Sequence, residues 1–140
     1  MADADAALSM TGPATVAGKG LGAYIALLIA GARPAMVRGA ILLDGAGLAG
    51  GGQRPGPVMV RGVPGRPTTP DPFALVELAS DIRPPDYVAR FAELAAEHSG
   101  RETAVYVCGK ARPDWLKSAL NVRGVQECSL EAALAACAAG

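Results

Sequence analysis

Thr15-Val16-Ala17-Gly18-Lys19-Gly20-Leu21-Gly22-Ala23-Tyr24-Ile25-Ala26-Leu27 decides how the chain is read. Thr15 and Val16 are β-branched, and the apolar run 14–18 ends in glycines, the pattern of a short buried strand. Gly18, Gly20 and Gly22 then open a helix over 21–32, which Gly31 and Pro34 bring to a stop. Val37-Arg38-Gly39-Ala40-Ile41-Leu42-Leu43, closed by Asp44-Gly45, follows as a strand with both faces buried. A strand, a helix and a strand in so short a span form a right-handed crossover, so the two strands are parallel.

Beyond Asp44 the composition changes. Residues 45–72 hold six prolines, many glycines, and Arg54, Arg61 and Arg66 with no acid before Asp71. This reads as a long connection, either a lid or an extended arm. Helical spacing returns at 73–79 and 85–98, with Val88, Phe91, Leu94 and Ala95 on one stripe of the second segment. Residues 104–108 read as a third strand and 113–120 as a short helix with Pro113 in its first turn. Residues 122–128 read as a weaker fourth strand, and Ser129 caps a closing helix to about Ala138. The expectation is one α/β domain over 1–140, with about four mostly parallel strands and helices on both faces.

The chain has 140 residues, with 13 Lys and Arg against 13 Asp and Glu. Zero net charge offers no attraction for nucleic acid or an anionic membrane surface. At 51% hydrophobic the chain has the material for a core, and at 4% aromatic that core consists of thin, closely packed layers. The longest apolar stretch, 21–32, falls short of the roughly 20 residues of a membrane span. Met1-Ala2-Asp3-Ala4-Asp5 lacks the basic start of a secretory leader. Cys108, Cys128 and Cys137 show no C-x-x-C spacing, and His98 is the sole histidine, so neither a disulfide framework nor a metal site is expected. These features predict a cytoplasmic protein without a cofactor.

Gly18-Lys19-Gly20-Leu21-Gly22 resembles the nucleophile elbow of the α/β-hydrolases, in which G-x-S-x-G lifts a serine above the sheet. Residues 3–8 resemble the end of the helix before that elbow, 32–45 the next strand and its approach, and 104–109 the strand before the acid loop. The resemblance covers the C-terminal half of the family fold and implies a truncated three-layer sandwich. Its chemistry is missing. Gly20 stands in the serine slot, and Val125-Gln126-Glu127-Cys128 runs into the last helix without the family's histidine. Asp114 comes one or two residues late for the acid, and is also explained as a helix N-terminal acid. No catalytic residue is therefore assigned, since acyl transfer needs a nucleophile and a base in contact.

Weaker candidates remain. The Leu21 amide, at a helix start beside Lys19, is a candidate anion site. Asp44 ends a strand as an acid or as a turn former, and His98 is a remote candidate base or a helix-dipole partner. Cys108 and Cys128 are small buried hydrophobes or a thiol pair on neighbouring strands. Gly18-x-Gly20-x-x-Ala23, with Asp44 at the end of the next strand, also fits a dinucleotide fingerprint, although no second crossover follows Asp44. A P-loop fails on spacing and lacks a hydroxyl residue at Gly20. A third reading is an ester or thioester hydrolase using Cys108 or Ser129, or completed by a partner.

The truncation predicts a bare edge on strand 14–18 and an uncovered apolar flank on helix 21–32. Leaving a few hundred Å² of such surface wet costs several kcal/mol at about 25 cal/mol per Å². The sequence therefore predicts an assembly subunit, a homo-oligomer or the partner of a larger protein, with no nucleic acid or membrane bound.

Overall fold

The computed structural model describes residues 1–51, 78 and 80–139. The elements run in the order α1 (Ala2–Thr11), β1 (Ala14–Lys19), α2 (Leu21–Ala32), β2 (Val37–Leu43), α3 (Pro85–His98), β3 (Val105–Val107), α4 (Asp114–Leu120), β4 (Val125–Glu127) and α5 (Leu130–Ala139). The arm expected beyond Gly51 and most of the helix expected at 73–79 lie outside the described residues.

The four strands form one parallel sheet in the order β1-β2-β3-β4. Neighbours in space are thus neighbours in sequence, and right-handed crossovers all advance in one direction. That geometry places α2, α3 and α4 on the same face. The strand period of two sorts the side chains accordingly. Ala40, Leu42, Val105 and Val107 join the large cluster with the buried residues of α2, α3 and α4. Ile41 and Tyr106 point the other way and meet Ala133 and Cys137 of α5. The result is an α/β fold with helices on both faces; among the described residues α1, α2, α3 and α4 bury side chains in the large cluster, and the Ala-rich α5 packs on the other face.

α1 is held by Leu8, buried in the large cluster, and by a two-pronged ion pair in which Arg33 donates to Asp5 at 2.6 and 2.9 Å. α5 starts where Ser129 Oγ accepts the Ala132 amide at 3.1 Å, the capping expected of that serine. Among the described residues, no helix is long and apolar enough to cross a membrane.

Several boundaries differ from expectation. β3 and β4 are only three residues each, because the ladder fades beyond 107 and 127. Pro113 caps α4 from outside instead of entering its first turn. In α3 the fully buried residues are Val88, Ala92 and Ala95, while Phe91 packs half-buried against the same cluster. The largest correction concerns α2. Its predicted uncovered flank does not exist: every residue of 21–32 is buried or half-buried. α3 packs close against it and the segment after β2 returns over its start.

The close approach of α2 and α3 depends on Gly31, where an added Cβ would lie 2.3 Å from the Phe91 carbonyl oxygen. At Gly22, in the first turn, an added Cβ would meet nothing within 4 Å. Gly31→Ala should therefore destabilise the fold by about 1–3 kcal/mol through overpacking, whereas Gly22→Ala should stabilise it by about 0.5 kcal/mol through helix propensity. Urea titrations of the two variants check the opposite signs.

Candidate functional site

The glycine turn between β1 and α2 sits at the carboxyl end of the sheet, where ligands bind in open α/β folds. Gly20 adopts φ 63° and ψ −122°, a conformation that only glycine takes without strain. The chain therefore turns sharply at Gly20 between β1 and α2. What lies above it is protein. The chain leaves β2 at Leu43 and folds back so that the Ala46 carbonyl accepts the Leu21 amide at 2.9 Å. An added Cβ on Gly20 would lie 2.1 Å from that same oxygen. Ala46 thus fills the place where a serine side chain would stand, and engages the amide that would hold an anion or a pyrophosphate. Lys19 is exposed, and its stem runs beside Gly45.

Asp44 has a defined task. Its carboxylate accepts the Lys110 amide at 2.6 Å and the Ala111 amide at 3.1 and 3.2 Å, tying the end of β2 to the loop after β3. Arg112 in that loop donates from Nε to Glu127 at 2.8 Å and from Nη1 to the Gly109 carbonyl at 2.8 Å. Asp114 is exposed and pairs with Lys117 at 2.9 Å. His98 ends α3, which runs antiparallel to the strands, so it lies at the opposite, amino end of the sheet from the glycine turn. It is largely exposed.

The three cysteines share the second face with α5. Cys108 and Cys128 follow the paired residues Val107 and Glu127 and sit side by side. Burial, then the neighbouring Cys128, pushes the Cys108 thiol up to about 11. Cys108 is thus a protonated, poorly nucleophilic thiol near neutral pH. Ser129 Oγ is engaged in capping α5.

A second group assembles beside the turn, and sequence reasoning did not find it. The Leu48 carbonyl accepts Trp115 Nε1 at 2.8 Å and also an Arg83 Nη1 hydrogen bond. The Arg83 guanidinium lies 4.5 Å from the centre of the Tyr24 ring, which meets Trp115 edge-on at 5.4 Å. Burial pulls the Arg83 pKa down from its ordinary value, against weaker opposing effects of Tyr24 and Asp81. Burial likewise raises the Tyr24 pKa. Trp115 is the single tryptophan of the chain and Arg83 precedes two prolines, the only signals in the sequence.

No protein-family model matches this chain, and no curated protein or solved structure matches it either.

Two outcomes follow from the geometry. Gly20→Ser should not create esterase activity towards 4-nitrophenyl acetate, and should cost about 2 kcal/mol of stability in a denaturant titration, because its Cβ meets the Ala46 carbonyl in a left-handed conformation. Alkylation of Cys108 by iodoacetamide, followed by peptide mass, should be slow at neutral pH and rise about tenfold per pH unit until near the thiol's pKa of about 11. A plateau well below that pH would contradict the assignment.

Proposed function

We propose that the chain is a non-catalytic, α/β-hydrolase-like assembly subunit that joins a second copy of itself through β1. The observation that carries this reading is the Ala46 carbonyl seated on the elbow. It stands where nucleophile and oxyanion would have to be, and leaves the elbow a structural turn.

Support for the interaction half comes from β1. Among the described residues it is paired on one side only, and Ala17 and Lys19 are exposed. The Ala14 amide donates to Met36 and the Gly20 amide to Leu43. By the alternation of a parallel ladder, the amides of Thr15, Ala17 and Lys19 therefore face the open edge. An open edge of this kind is a template for another strand. A two-fold axis through Ala17 would set β1 antiparallel to its copy, with Lys19 opposite Thr15 and no like charges facing one another.

Light scattering coupled to gel filtration at micromolar concentration should give twice the monomer mass. Ala17→Pro deletes one outward amide and leaves the β1–β2 ladder donors in place, so it should yield a folded monomer. A wild-type monomer, or a variant that remains dimeric, overturns the proposal.

A further inference from the structure

An opening lies beside the glycine turn rather than above it. A cleft of about 560 Å³ lies between 49–51, 82–85 and 112–117. This is within the usual size of small-molecule sites. Among the described residues, its cationic groups are Arg83, Arg112 and Lys117, and its carboxylate is Asp114. Arg112 is matched by Glu127 and Lys117 by Asp114. Arg83 is different.

Arg83 is only 4% exposed, yet among the described residues its hydrogen bonds go to neutral main-chain carbonyls, those of Leu48 and Leu78. Its Nε is buried and has no hydrogen-bond partner among the described residues. Asp81 acts on it from a distance, without a hydrogen bond. A buried cation held by neutral groups and one aromatic face keeps most of its desolvation cost, and an anion brought nearby offsets that cost. Low-dielectric walls focus its field into the cleft. The wall beside it is apolar: Trp115 is buried, while Ile82 is 75% exposed, a large aliphatic group at the rim with no cover of its own.

We propose that this cleft binds a small organic oxyanion, with its carboxylate or phosphate drawn towards Arg83 and a short apolar portion laid against Ile82 and Trp115. The site is separate from the β1 edge, so its failure would leave the assembly proposal untouched, and the reverse holds too.

Trp115, the single tryptophan, reports binding directly through its fluorescence. Acetate, butyrate, inorganic phosphate and butyl phosphate are titrated into the protein at constant ionic strength. At least one butyl compound should give a saturable change, with affinity about tenfold tighter than its counterpart lacking the alkyl chain. The better headgroup identifies carboxylate or phosphate. Arg83→Lys should weaken that binding about tenfold or more, because an ammonium cannot reproduce the guanidinium fork. Ile82→Asp alters an exposed rim residue, so it keeps the test decisive if Arg83→Lys does not fold, and it should abolish the advantage of the butyl chain. Absence of saturation for all four probes overturns the proposal, as does binding that neither variant changes.

Discussion

The Ala46 carbonyl resting on the Leu21 amide governs the carboxyl end of this sheet. A helix start leaves amides without partners, and in related architectures those amides serve a ligand or a reacting oxygen. Here one is satisfied by the chain's own backbone, 25 residues on by sequence number. The return that delivers Ala46 also brings Leu48 under Trp115 and Arg83. One backbone excursion thus closes the elbow, covers the start of α2 and builds one wall of the neighbouring cleft. Gly20 is the condition for all of it, because any Cβ at that position meets the returning carbonyl.

The β1–α2–β2 unit is legible from sequence because local signals agree there. β-branched residues, a glycine turn and an apolar helical run all specify the same structure, and the expected limits of α2 and β2 coincide with the observed ones. β3 and β4 are harder, since three-residue ladders carry little periodicity and owe their pairing to neighbours. The groups beside the elbow are harder still. Leu48 meets Arg83 across 35 positions and Trp115 across 67, and no local pattern announces such a meeting. Asp44 shows the same limit. Its place at a strand end is readable, but the Lys110 and Ala111 amides it binds come from a loop more than sixty positions later.

The unequal covering of the two sheet faces follows from strand order. Among the described residues, the second face is covered by the chain that follows β4, and α5 reaches Ile41 and Tyr106 through Ala133 and Cys137. Its small residues let it lie close, yet Leu130 and Leu134 remain exposed on its outer side. β1, farthest from α5 in the strand order, is left with Ala17 and Lys19 in solvent. A parallel strand is ordinarily covered on both faces. The exposed strip on β1 is therefore a consequence of topology and not of an unusual local sequence.

Arg83 poses the remaining energetic question. An apolar residue of similar volume in its place would avoid the cost of a buried charge, and such replacements are often neutral or stabilising in other proteins. What the guanidinium adds is direction. Its fork reaches the Leu48 carbonyl on one side and the Leu78 carbonyl on the other, while its face rests on Tyr24. A hydrocarbon could fill that space but could donate to neither carbonyl, leaving the Leu48 carbonyl with its Trp115 hydrogen bond alone. The charge is thus tolerated as a means of joining two backbone segments that, among the described residues, share one isolated bridge, Gly51 with Ile82. The buried guanidinium beside the cleft is a by-product of that structural solution, and under the proposal it is the group an anion would recognise.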